Sequence, residues 1–147
     1  LRLEKGYLLS GQDFLWPGLG EDPEANLPED FLSRNTAETA VPYGLDTEHD
    51  FVGRHWVIES LESGAKWQGL ECLERGPSPR PGHAVLSAEE EGASILGYVT
   101  SGGPSPSLGR TGIAMAYLQP ASPGQEVWIQ SSPRKRVKAS IRRPPFV

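Results

Sequence analysis

From Lys66 to the C-terminus the chain breaks into short apolar runs separated by turn-forming residues. Trp67–Leu73, His83–Leu86, Ser94–Thr100, Gly112–Leu118, Glu126–Gln130 and Val137–Ile141 each have the length and residue content of a strand. Gly76-Pro77-Ser78-Pro79-Arg80-Pro81-Gly82, Glu91-Gly92 and Pro120–Gly124 punctuate them. Short strands with such regular punctuation predict a small antiparallel barrel or sandwich. Before Lys66 the pattern changes. Leu1–Tyr7 reads as the last turn of a helix stopped by Gly6, and Ser10–Asp13 as a turn. Phe14–Arg34, rich in Pro, Gly and acids, reads as a long surface loop with a short helix at Pro28–Ser33. Thr39–Asp46 suits a short strand. His55–Ser63, with Trp56, Val57, Ile58 and Leu61, suits an amphipathic helix ended by Gly64. No internal repeat is visible.

Length and composition fit this picture. A chain of 147 residues, 37% hydrophobic and 22% charged, is one globular domain or one domain plus part of another. No apolar run is long enough to span a bilayer and no signal-peptide pattern opens the chain, so no membrane partner is expected. Charge is divided unevenly: residues 1–62 hold 13 acids and 4 bases, residues 63–147 hold 6 acids and 10 bases. The basic cluster Arg134-Lys135-Arg136-Val137-Lys138, followed by Arg142 and Arg143, reads as the solvated face of an edge strand. It has no interleaved aromatics for stacking bases, so nucleic acid is not an expected partner. Cys72 is the one cysteine and lies in an alternating run, which suits a buried, inert thiol and a reducing interior. His49, His55 and His83 lack the spacing of a ligand pair, and no zinc site is expected. No nucleophile elbow, Walker loop or dinucleotide-binding glycine pattern appears.

Thr100-Ser101-Gly102-Gly103-Pro104-Ser105-Pro106-Ser107-Leu108-Gly109 carries the most specific signal. Gly and Pro set the backbone there, and the residues read as strand, tight rigid loop, strand. The segment resembles the TSG-x-x-SP-x-L-G stretch of glycine cleavage T-proteins, the folate-dependent aminomethyltransferases. Leu1-Arg2-Leu3-Glu4-Lys5-Gly6-Tyr7, Asp50-Phe51-Val52-Gly53-Arg54 and Pro145-Phe146-Val147 match the same family in the same order. The resemblance implies a mainly β chain. Residues 1–63 would be a partial α+β folate-binding region, truncated at its N-terminus and interrupted by an insertion at about 15–34. Residues 64–147 would be the family's C-terminal antiparallel β-barrel domain. The LR-x-E-x-G match falls well past the middle of family members, so the chain is expected to be the C-terminal part of a longer protein. The family's essential aspartate lies upstream, and residues 1–147 alone are expected to be inactive.

The implied co-substrate is tetrahydrofolate, and the implied partner is the lipoylated H-protein of the glycine cleavage system. Asn35-Thr36-Ala37-Glu38 falls on the family's [NT]-P-x-E segment, which makes Glu38 the candidate pterin ligand. One ionised carboxylate can accept the adjacent N3–H and 2-amino donors of a pterin together. Tyr7 lies in the matching G-x-x-L-Y-G-x-D segment and is a candidate pocket wall, although Ser10 replaces the usual second tyrosine. Lys66 stands near the position where the family places a cation for the glutamate tail of folate. The family reaction moves a methylene carbon from aminomethyl-lipoyl H-protein to tetrahydrofolate and releases ammonia, in the cytoplasm or, in a eukaryote, the mitochondrial matrix. Two other proteins built on this module remain open: a dimethylglycine or sarcosine dehydrogenase, and a folate-binding tRNA-modification factor. The latter carries a reactive cysteine in a K-G-C-Y-x-G-Q-E motif, and Lys5–Asp13 has none.

Overall fold

The computed structural model describes residues 1–15, 26–39, 45–119 and 121–147. Among these, α1 (Arg2–Lys5) and α2 (Arg54–Ser63) precede the strands β1 (Lys66–Cys72), β2 (Ala84–Leu86), β3 (Ile95–Ser105), β4 (Thr111–Leu118), β5 (Glu126–Ser132) and β6 (Lys135–Arg142). The strands form a closed barrel in the order β1-β4-β3-β2-β5-β6, and β6 returns to pair with β1. Every pairing is antiparallel. The protein is therefore mainly β, a small antiparallel barrel behind a helix-containing N-terminal part.

The two-residue period of the strands builds the core directly. Along β6, Val137, Ala139 and Ile141 are buried while Arg136, Lys138, Ser140 and Arg142 alternate with them. The same inward set from the other strands, including Leu70, Val85, Val99, Leu118 and Ile129, fills the barrel. Strand β4 is buried on both faces. Ala114, Ala116 and Leu118 belong to the interior, whereas Ile113, Met115 and Tyr117 join Trp67 and Phe146 in a second cluster. Leu3, Leu8 and Phe31 cover that second cluster. The N-terminal segment thus removes from water an apolar face that the barrel alone would expose.

Both ends of the chain meet at this cover. Gly6 caps α1 in the left-handed region at φ 71°, where a side chain would be strained and a Cβ would lie 2.2 Å from Pro144. The Phe146 N–H donates to the Glu4 carbonyl at 2.7 Å, and the Phe146 ring sits over Gly69. A Cβ on Gly69 would come within 2.8 Å of that ring, so this strand position needs glycine to seat the C-terminal aromatic.

Several expectations are corrected. The Arg134–Arg143 segment has the predicted alternation but no free edge, because β6 hydrogen-bonds β5 and β1. The 101–109 stretch is not a rim loop throughout. Strand β3 continues to Ser105, pairing Gly103 with Ile113 and Ser105 with Thr111 across a bulge at Val99/Ser101. The rigid turn is confined to residues 106–110. Pro28–Ser33 forms turns instead of a helix, since Asp30 at φ 55° leaves helical space. Of the apolar residues assigned to α2, Val57 is buried, but Trp56 and Leu61 are exposed. The expected strand at Thr39–Asp46 falls largely outside the described residues. Cys72 is buried, and burial, with Glu74 and Glu71 nearby, pushes its thiol up to about 11.

Candidate functional site

Two buried carboxylates fasten residues 1–13 to β3. Asp13 is fully buried and accepts four hydrogen bonds. Its Oδ1 receives the Thr100 hydroxyl at 2.6 Å and the Ser101 hydroxyl at 2.5 Å. Its Oδ2 receives Arg2 Nη1 at 2.7 Å and the Leu9 N–H at 2.9 Å. Arg2 spreads further, donating Nη2 to Gln12 Oε1 at 3.1 Å and to Ser101 Oγ at 2.9 Å. Two residues further along α1, Glu4 accepts the Ser105 hydroxyl at 2.5 Å and the Ser107 N–H at 3.0 Å. Those donors, the Ser105 hydroxyl foremost, hold the Glu4 carboxyl below its ordinary value against the opposing pull of burial. The Leu1-Arg2-Leu3-Glu4 and Thr100-Ser101-Gly102-Gly103-Pro104-Ser105 motifs are therefore two sides of one clasp.

Glu38 lies in a second polar assembly, at the junction of barrel, N-terminal segment and α2. The Asn35 side chain accepts the N–H groups of Ala37 and Glu38 at 2.9 and 3.3 Å, while Glu38 Oε2 accepts the Asn35 N–H at 3.1 Å. This reciprocal pattern is a capping box around one turn. Asn35 Nδ2 donates to Ser60 Oγ of α2 at 2.7 Å, and the Glu38 carbonyl accepts the Trp67 N–H of β1 at 2.9 Å. Glu38 Oε1 receives Arg34 Nη1 at 2.7 Å, with both side chains little exposed. The Arg34 guanidinium lies 4.6 Å from the centroid of the Phe31 ring and 4.5 Å from that of Tyr117, and its Nε donates to the Phe31 carbonyl at 2.7 Å. Tyr117 is fully buried, its hydroxyl has no hydrogen-bond partner among the described residues, and burial pushes its ionisation up. A cleft of about 740 Å³ opens beside this turn, lined by Arg34, Asn35, Thr36, Phe14, Phe51 and Trp56 among others, with Glu38, Tyr7 and Lys66 outside its lining.

The structure brings two of the three predicted site residues into one neighbourhood. Lys66 begins β1, next to the Trp67 that bonds Glu38. Its ammonium group donates to the Ser60 carbonyl and, at 3.3 Å, to the Leu61 carbonyl, satisfying the C-terminal end of α2. Tyr7 is exposed, and its carbonyl accepts Arg2 Nη1 at 3.1 Å. No hydrogen bond among the described residues joins Tyr7 to Glu38 or Lys66. Asp13 and Arg34 were not foreseen. Thr100 and Ser101, which bond Asp13, and Tyr117, which packs on Arg34, lie far along the chain, where local pattern carries no signal, whereas Phe31 and Glu38 stand three and four residues from Arg34. Among the described residues no group of three His, Cys, Asp or Glu side chains could hold a metal ion, and no helix is long and apolar enough to cross a membrane.

Fold and clasp define an antiparallel barrel domain whose T-S-G-x-x-S-P strand is the rail onto which the preceding segment docks. Residues 66–147 match the glycine cleavage T-protein C-terminal barrel domain, and the chain belongs to that family. A probable aminomethyltransferase of Halobacterium salinarum is 36% identical over 149 residues, covering 100% of this chain and 36% of that protein. An aminomethyltransferase of Streptomyces coelicolor is 40% identical over 116 residues, covering 70% of this chain and 30% of its own length. The crystal structure of glycine cleavage system aminomethyltransferase T from Bartonella henselae superposes with a TM-score of 0.70 at 26% identity, over 100% of this chain and 37% of that one. The chain thus matches about a third of the length of such relatives.

Proposed function

We propose that this chain is the C-terminal, folate-facing part of a tetrahydrofolate-dependent aminomethyltransferase of the glycine cleavage system. In this reading residues 1–63 are a partial α+β folate-binding region and residues 64–147 the barrel domain that carries it. The methylene carbon of the aminomethyl group on lipoylated H-protein passes to tetrahydrofolate and ammonia leaves, in the cytoplasm or the mitochondrial matrix. The chemistry requires the folate amine to meet the aminomethyl carbon in one orientation, and positioning supplies much of such a rate. This chain binds and orients; the acid–base group comes from outside residues 1–147.

The observation that carries the reading is the cleft beside the capped turn of Glu38. Its volume of about 740 Å³ lies within the range of small-molecule sites, and an apolar wall faces a polar turn. An ionised carboxylate has about four lone-pair positions. Arg34 and the Asn35 N–H occupy one on each Glu38 oxygen, which leaves one on each for a ligand with paired N–H donors. Exposed Tyr7 and the Lys66 cation are the remaining folate contacts of the proposal. The test is calorimetric titration of tetrahydrofolate into the protein and its Glu38→Gln variant. The amide sets a donor against a pterin N–H, and the expected loss is roughly tenfold to a hundredfold in affinity. Equal affinities contradict the assignment of Glu38.

A further inference from the structure

We propose that Arg34, which lines the cleft, is a positioning residue for folate recognition, acting through Glu38; this rests on the reading of Glu38 given above. Three features of the structure carry the inference. The guanidinium sits in the corner of two nearly perpendicular rings, Phe31 at 4.6 Å and Tyr117 at 4.5 Å, whose centroids are 6.1 Å apart at an interplanar angle of 78°, and Tyr117 belongs to the barrel strand β4. A third restraint, Nε on the Phe31 carbonyl at 2.7 Å, fixes the rotation of the guanidinium plane. The direction left to Nη1 is toward Glu38 Oε1, at 2.7 Å. The Phe31 ring is itself seated edge-on against Tyr98 of β3 at 5.3 Å, so the clamp is referenced to two strands.

The carboxylate therefore inherits its orientation from the barrel. Without Arg34, the capping bond from the Asn35 N–H would hold one oxygen but leave the carboxylate free to turn about it. A ligand offering two side-by-side N–H donors needs both oxygens in one plane, so it is sensitive to that freedom. Lysine cannot fill the role fully, because an ammonium group has no planar fork to pack against both rings while bonding two acceptors. The tyrosine hydroxyl plays no part in the clamp, since it bonds neither Arg34 nor any other of the described residues.

A double-mutant cycle on tetrahydrofolate affinity tests the inference, with thermal unfolding of each variant as the check on folding. Arg34→Met is expected to weaken binding by about fivefold to twentyfold, and Arg34→Lys to recover part of that loss. Phe31→Leu, which loosens the clamp and leaves the ion pair in place, should fall between wild type and Arg34→Met. In a Glu38→Gln background, Arg34→Met should change affinity less than twofold, about the usual error of additivity. An equal loss from Arg34→Met in both backgrounds overturns the inference, as does no loss where Glu38→Gln alone weakens binding. If Glu38→Gln binds as tightly as wild type, or the wild-type protein binds no tetrahydrofolate, the underlying reading fails and the inference with it.

Discussion

Replacing Asp13 by Asn should loosen the N-terminal segment from the barrel, and the structure lets the cost be worked through. The amide keeps the shape of the carboxylate but turns one acceptor into a donor. It will direct its NH2 toward Thr100 and Ser101, whose hydroxyls can rotate to accept, and its oxygen toward Arg2 and the Leu9 N–H. Thr100 has a fallback acceptor in the Met115 carbonyl at 3.4 Å. Geometry is therefore largely preserved, and the loss is chiefly the negative charge facing Arg2. Breaking a fully buried pair costs about 3–5 kcal/mol. The Arg2 side chain is 33% exposed, so solvent screens part of this, and about 2–3 kcal/mol is expected. Asp13→Ala also strands two hydroxyls and an N–H, and should cost about 1–3 kcal/mol more. Urea unfolding followed by tryptophan fluorescence measures both, and the smaller loss corresponds to a melting shift of about 5–10 °C for a chain of this size. If Asp13→Asn lies within about 0.5 kcal/mol of wild type, the range of ordinary surface changes, the clasp is not what holds the segment.

Other consequences follow from the same contacts. Glu4 has a folded-state pKa below its ordinary 4.5, so its contribution to stability is present above that value and is lost as pH falls through the lower, folded value. The stability gap between wild type and Glu4→Gln should accordingly shrink below pH 4.5, measured by denaturant midpoints across the acid range; a gap independent of pH contradicts this. Phe146→Ala should cost about 3–5 kcal/mol, because it empties the seat over Gly69 beside Trp67, and a change under about 1 kcal/mol in urea unfolding would refute the latch.

How legible this molecule is depends on the range of the interactions. Strands β1, β2, β4, β5 and β6 are readable from local pattern, because one face of each packs a single interior and Gly or Pro ends each run. The full extent of β3 was hidden. Beyond Val99 its residues are Thr, Ser, Gly and Pro, yet Thr100, Ser101, Gly103 and Ser105 are buried, since the partners that satisfy the hydroxyls come from Glu4 and Asp13 at the far end of the chain. A polar stretch buried by a distant segment looks like a loop to any local reading. The family resemblance marked both halves of the clasp without saying that they touch. The seat of Arg34 against Phe31 is local, but its packing on Tyr117 is equally non-local, and the left-handed Asp30 that bends the chain toward it has no clear signal in sequence. Glu38 was found through the motif, but its capping box with Asn35 was a local pattern open to reading.

The central claim is that the turn holding Glu38 is part of a folate site carried by the barrel. Backbone amide chemical shifts of the isotope-labelled protein, followed through a tetrahydrofolate titration, test it most directly. The account predicts saturable shifts concentrated on Asn35–Glu38 and Trp67, where the turn bonds β1, with the β5–β6 hairpin unmoved. Shifts centred on the basic residues of that hairpin, or no saturable shifts at all, contradict it.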